Sequence, residues 1–266
     1  MSTSTPLQTL NESGWRIGFA NFLRKENQEW WGNRRWLFQA ILWILILNGF
    51  TALPLFLAPA SAPSGQEASI SALEAAQVYF QITGLALAIA IIIRTQSAIV
   101  GEKQSGTAAW MLSKPLSRQA FILAKLVAFL LAIVVLQIAL PGIVAYFEIW
   151  IGTGTQLQIL PFLGGLGLLV LSQAFYLSLV LMLGTLYNNR GPVMGVAFAV
   201  LFGGSIIPTM LPQSNLVTPW PIPQIASGLA AGAPLPATTW YTVLATLIWI
   251  SLFIWLALRR FQQEDF

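Results

Sequence analysis

At 266 residues, the chain is 56% apolar and only 8% charged, with thirteen Lys and Arg against nine acids and a formal net charge of +4. Soluble domains carry about a quarter charged residues, so a surface this poor in charge needs lipid as its main solvent, as the mean hydropathy of +0.73 also requires. With no His and no Cys, disulfides, thiolate or imidazole metal sites and Cys or His catalysis are excluded.

Residues 1–35 are polar to amphipathic and lack the short basic start and apolar block of a signal peptide. Within them, Trp15, Phe19, Phe22, Leu23 and Trp30 recur near helical spacing, with Arg16, Arg24, Lys25, Glu26 and Arg34 at other angles. That pattern predicts an amphipathic interfacial helix, with Trp15, Phe19, Phe22 and Trp30 as membrane-surface anchors. Docking of a partner is the second reading.

Six long apolar runs follow, at 36–57, 75–93, 126–147, 159–186, 192–211 and 240–258. Each approaches or exceeds the ~20 residues that cross a bilayer as helix. The fourth is longer than needed and is expected to tilt or project; a tight turn at 186–191 joins it to the fifth. Pro141 is expected to kink the third run. Gly164, Gly165, Gly167 and the Gly191–Gly195 pair are expected to allow close helix approach.

Charge placement supports this count. With the N-terminus inside, segments 1–35, 94–125, 187–191 and 259–266 hold all thirteen cations, while 58–74, 148–158 and 212–239 hold only Glu67, Glu74 and Glu148. This is the positive-inside pattern, and it places both termini in the cytoplasm. The expected fold is all-α and polytopic: residues 36–258 form a six-helix transmembrane domain, and 259–266 form a cytoplasmic tail.

The span cores contain amides and hydroxyls (Asn48, Gln77, Gln81, Gln137, Ser172, Gln173, Ser178) but no Asp, Glu, Lys or Arg. Ion-coupled carriers usually place ionisable groups near the midplane, so any transport draws its energy from elsewhere. The chain has no GxxxxGK[ST] cradle, which leaves ATP and its Mg to a separate polypeptide. An uncharged path suits lipids, hydrophobic peptides or other amphiphiles.

The loop 94–125 carries the most information. Gly101 is expected to end the extension of span two. Thr107 to Leu112 forms a short helix bearing Trp110, Met111 and Leu112. Pro115 breaks it, and Ser117 caps the helix leading into span three. A short apolar turn between two helix extensions suits transmission of force from a soluble partner; an ordinary basic loop on anionic lipid is the other reading.

Glu102, Gly106, Thr107, Pro115, Ser117, Arg118 and Lys125 fall on a pattern that resembles the signature of ABC-2 type permeases, roughly E-[KR]-x-x-G-T followed by L-L-S-x-P-[LIV]-S-R and a Lys. Trp110 and Met111 depart from it, standing where the family often has Glu and Leu. The resemblance implies two permease subunits bound to two ATPase subunits, with this loop as the coupling element in a cleft of the ATPase. The coupling residues would be Glu102, Gly106, Thr107, Trp110, Met111, Leu112, Pro115, Ser117 and Arg118. The expected partners are therefore a separate ABC ATPase, a second permease copy or related chain, and the lipid bilayer, with no nucleic acid. The expected place is the bacterial inner (plasma) membrane.

Seven prolines crowd into 208–236. The apolar stretch 225–233 is too short to span and is expected to re-enter the outer leaflet, as in ABC-2 permeases, within a lid segment 212–239 that gates or only packs. The preferred function is the permease subunit of an ABC exporter, without catalysis of its own. An ATP-independent scaffold or a passive channel stays open as the alternative.

Overall fold

The computed structural model describes residues 13–57 and 70–264. Glu67, most of the 58–74 segment, the first twelve residues and the last two of the tail lie outside the described residues. Among those described, the chain is helical without a strand, and six helical stretches are long and apolar enough to cross a membrane: Arg35–Leu57, Ala72–Gln104, Arg118–Thr153, Ile159–Leu186, Arg190–Met210 and Thr239–Gln262. They are numbered here as spans one to six. All the cations described lie towards one end of this bundle.

Helix α1 (Phe19–Trp31) precedes span one, which consists of α2 (Arg35–Ala52) and a π-helical end at Leu53–Leu57. Span two starts at Ser71, whose hydroxyl accepts from the backbone N–H of Glu74 while Glu74 accepts from the Ser71 N–H. This reciprocal cap satisfies two otherwise orphaned donors. The span comprises α3 (Ala72–Thr95) and α4 (Ser97–Gln104), jointed at Gln96. Gly101 does not end it: a single helical glycine costs only about 1 kcal/mol relative to alanine, and the helix runs through it. The stop comes at Gly106, whose φ of +70° is the left-handed turn that favours glycine.

After the short helix α5 (Thr107–Leu112), span three combines α6 (Arg118–Ala132), a π-helical stretch at Ile133–Ala139, and α7 (Leu140–Thr153). The π turn falls immediately before Pro141. A wider turn accommodates the ring and the missing N–H there, which is the form the expected distortion takes.

Span four, α8 (Ile159–Leu186), is the axis of the bundle and the most buried of the six. Its length serves packing along the whole molecule, against spans two, five and six. Span five, α9 (Arg190–Met210), is the least buried. Two short helices, α10 (Ser214–Val217) and α11 (Ile222–Ala230), precede span six, α12 (Thr239–Gln262).

Helix α11 is held by glycines. A Cβ on Gly165 would lie 2.7 Å from the Ala226 carbonyl oxygen, one on Gly164 would lie 2.9 Å from Leu229, and one on Gly84 would lie 2.7 Å from Pro223. Bare backbone on α3 and α8 thus forms the cradle into which α11 buries Ile222, Ala226 and Ala230. Gly167, Gly191 and Gly195, expected to serve the same purpose, have no neighbour within 4 Å of a Cβ. Their side of the helix faces open space among the described residues.

Candidate functional site

The cation-rich end is assembled around α1. Its buried residues, Phe22, Glu26 and Trp30, follow one another at intervals of four and form a single stripe. This stripe lies on span three: Phe22 stacks on Phe121 at 5.2 Å, Phe121 on Phe261 of span six at 5.0 Å, and Trp30 meets Phe129 edge-on at 5.4 Å. Phe22 and Trp30 therefore face protein, contrary to the lipid anchoring expected of them. Aromatic rings gain as much from a neighbouring helix as from lipid, and α6 supplies that helix. Trp15 is exposed and Phe19 half-buried.

Glu26 lies between those rings because Lys125 meets it. The Lys125 ammonium, 3% exposed, donates to both Glu26 oxygens at 3.1 and 3.2 Å and to Glu102 at 2.9 Å. One buried cation thereby joins α1, α4 and α6. Two carboxylates around it, with aromatic faces beside it, compensate the desolvation that an unpaired buried charge could not bear. Lys25 adds a second bridge, to Glu26 at 3.2 Å and Glu29 at 3.3 Å. Partial burial disfavours its charge, but the two carboxylates outweigh that and hold its pKa above the ordinary lysine value.

The loop itself folds as its residues direct. Ser117 accepts from the Ala120 N–H at 3.0 Å and so caps α6. It also receives the chain before α1: the Ser117 N–H donates to the Ile17 carbonyl at 3.0 Å, and its hydroxyl donates to that of Trp15 at 3.3 Å. Gly18, at φ +72°, is the N-cap of α1, and a Cβ there would reach 2.5 Å from the Pro115 carbonyl oxygen. Thr107 begins α5 after Gly106, with its hydroxyl 2.7 Å from that of Ser105.

On α5 the two expected anchor residues separate. Trp110 is 61% exposed, with the Lys114 ammonium 3.6 Å from its ring centroid. Met111 is 5% exposed and turned inward, its sulfur 3.8 Å from the Lys25 ammonium. Successive helical residues point about 100° apart, so one cannot join the other on a single outward face. Leu112 is half-buried, and Pro115 is exposed.

Glu102 and Arg118, expected among the coupling residues, are engaged within the chain. Glu102 holds Lys125. Arg118 donates to the backbone carbonyls of Phe261 and Gln262, the last of span six, and of Glu264 just beyond it. An arginine is well suited to carbonyls at a helix C-terminus. The Glu264 carboxylate in turn meets Lys103 at 2.8 Å, while Gln104 donates to the Asn188 carbonyl at 2.8 Å. The ends of spans two, three, four and six are thereby tied together. Sequence reasoning missed Glu26, Lys103 and Glu264. Glu26, expected at another angle than the apolar residues, stands four positions from both Phe22 and Trp30, and that spacing places it in their stripe.

The opposite end contains two cavities on either side of α11. One, of about 500 Å³, includes Gln81, Ser172, Tyr176, Ser205 and Trp220 in its wall; the other, of about 490 Å³, includes Gln77, Asn215 and Thr242. Gln224 of α11 borders both, and among the described residues no charged side chain lines either. Trp220 donates to the Val200 carbonyl at 3.0 Å and lies over Gly204. Of the other polar residues expected along a path, Gln173 is buried and donates to the Gly84 carbonyl at 3.2 Å, while Asn48 donates within its own helix. Among the described residues, no group of His, Cys, Asp and Glu could hold a metal ion.

A bundle of six helices long and apolar enough to cross a membrane, with a short helix braced at its cation-rich end, has the architecture of a multi-pass membrane protein. The family model for ABC-2 family transporter proteins matches residues 21–266, and the chain belongs to that family. Membership makes it the transmembrane component of an ABC transporter and implies an associated ABC ATPase. No curated protein matches the chain.

Proposed function

We propose that the chain is the permease subunit of an ABC exporter and that α5 is the element through which a separate ATPase drives it. The observation that carries this reading is Trp110, an indole 61% exposed on a helix whose other side, Ala108 and Met111, is buried. An exposed aromatic on a rigid mount is the kind of residue that anchors a protein interface. Behind α5, the ion pairs through Lys125 and Lys103 and the arginine clamp reach spans two, three and six, and the Gln104 bond to Asn188 adds the end of span four, so a push on this helix has a stiff path into the bundle. The positive-inside asymmetry supports a cytoplasmic position for this end and for both termini, in the bacterial inner membrane.

The two uncharged cavities divided by α11 support a translocation path for a neutral or weakly polar amphiphile, with α11 as its outer gate. A scaffold would need the docking helix but not these cavities, which favours transport. The path is completed by a second copy or a related permease chain. Co-purification of the ATPase with the wild-type chain and its loss from Trp110→Ala test the coupling assignment; undiminished recovery with Trp110→Ala would overturn it.

A further inference from the structure

We infer that Arg94 and Arg190 form a binding site for the phosphate of one anionic phospholipid at the cation-rich end of the bundle. Both line a single cavity of about 330 Å³, bordered also by Trp30 and by the carboxylates Glu26, Glu29 and Glu102. Each of these carboxylates has a lysine: Glu26 and Glu102 share Lys125, and Glu29 holds Lys25. Neither arginine enters an ion pair among the described residues. Lys25 reaches Glu29 from outside the cavity wall; with it counted, three carboxylates against two lysines and two arginines leave this cluster a net charge of +1, which one singly charged anion neutralises.

The geometry selects phosphate. Arg94 lies with its guanidinium 5.3 Å from the centroid of the Trp30 ring. Stacking engages the face of the guanidinium and leaves its in-plane N–H fork for a planar or tetrahedral oxyanion. The Arg190 guanidinium reaches across to α4, 3.6 Å from where a Cβ on Gly101 would be, at a point where that helix presents no side chain. Arg190 is also the first residue of the 21-residue helix α9, whose N-cap Asn189 makes no side-chain capping bond. The positive end of that helix adds to the field of both arginines.

Depth and charge select the lipid. Arg94 ends the apolar part of span two and Arg190 begins span five, so both lie where headgroup phosphates meet the hydrocarbon. A phosphodiester carries one negative charge and restores neutrality. A free phosphate, closer to two charges at neutral pH, overshoots, and a zwitterionic headgroup brings its own cation beside the lysines. The bound lipid would bridge span two, just before the coupling loop, to span five.

The test uses the purified full chain in dodecyl maltoside, with lipid retention read by native mass spectrometry. Wild type is expected to retain one phosphatidylglycerol, and phosphatidylcholine roughly tenfold more weakly, a difference of the size charge-assisted bonds supply. Arg94→Gln with Arg190→Gln should lose phosphatidylglycerol roughly tenfold or more. Arg34→Gln with Arg35→Gln, which removes the same charge elsewhere at this end, should retain it as wild type does. If the first pair does not purify as a single species, Arg190→Gln alone, at an exposed position, should show a smaller loss in the same direction. Equal loss from both pairs would mean diffuse attraction to the headgroup layer and would overturn the site. Wild-type retention by the Arg94 and Arg190 variants, or equal retention of phosphatidylcholine, would overturn it as well. Displacement of the lipid by millimolar inorganic phosphate would overturn the lipid as its source. None of these readouts involves an ATPase, so the result is independent of the coupling assignment.

Discussion

Lys125 donates to Glu102 across 2.9 Å, and these two residues stand at opposite ends of the segment that carries α5. The contact closes that segment on itself, and Glu26 on α1 seals it from the other side. Lys125→Met would leave two carboxylates facing each other without a cation. Breaking a buried pair from one side costs about 3–5 kcal/mol, so a clear fall in thermal stability in detergent is expected. The triple change with Glu26→Gln and Glu102→Gln should recover most of it, because the uncompensated charges go with the lysine. Stability of the single variant equal to wild type would show that the cluster does not brace the fold.

The glycines of span four allow a comparison within one helix. Gly165 lies against the Ala226 carbonyl and the Phe80 ring, while Gly167 faces open space. Alanine at 167 should be neutral or stabilising by up to ~1 kcal/mol, the ordinary helix gain. Alanine at 165 has the same propensity but must displace backbone, and overpacking of this kind costs about 1–3 kcal/mol. Thermal stability read on both variants checks the sign, which should be opposite.

Much of this was legible locally. The six spans, the Ser117 cap and the limits of α5 depend on neighbours within a few residues, and each is where the sequence places it. Partners distant in sequence were not legible. Arg118 finds carbonyls more than 140 residues away, and no local pattern distinguishes an arginine that reaches a partner protein from one that caps another helix. Phe22 and Trp30 show the same limit: an apolar stripe declares that it will be buried, but not whether by lipid or by α6. Gly101 misled because glycine marks helix ends and close contacts alike.

The tail of span six should depend on this arginine. Arg118→Ala removes the donor from the last carbonyls of α12, and Glu264→Gln removes the carboxylate that meets Lys103 at 2.8 Å. Either change should raise hydrogen exchange in the last turn, 258–264, with spans two and four unchanged. The arginine variant should show the larger effect, because it loses bonds to three carbonyls. Unchanged exchange in both would remove the clamp.

Topology can be read directly because the chain has no cysteine. Ser113 and Gln213 are exposed at opposite ends of the bundle. With an impermeant thiol reagent on intact cells, Gln213→Cys is expected to label and Ser113→Cys only after lysis. The reverse pattern would invert the orientation and separate the coupling helix from any cytoplasmic ATPase.

Trp110 and Met111 are adjacent in sequence and opposite in exposure, which gives the coupling assignment its sharpest test. Trp110, 61% exposed, has little intramolecular packing to lose, with the Lys114 ammonium over its ring. Trp110→Ala should therefore leave the thermal stability of the isolated chain within about 0.5 kcal/mol, as exposed positions usually do. As an interface anchor it should weaken association with the ATPase by about 2 kcal/mol or more, seen as loss of co-purification and of substrate-stimulated ATP turnover. Met111→Ala should do the opposite. A buried methionine truncated to alanine costs about 2–5 kcal/mol, so the chain should be destabilised, while the fraction that folds still captures its partner. If both variants bind and turn over as wild type, α5 is not the point of contact. If Met111→Ala alone impairs binding in folded protein, the docking surface is the groove between α1 and α5 rather than the exposed indole.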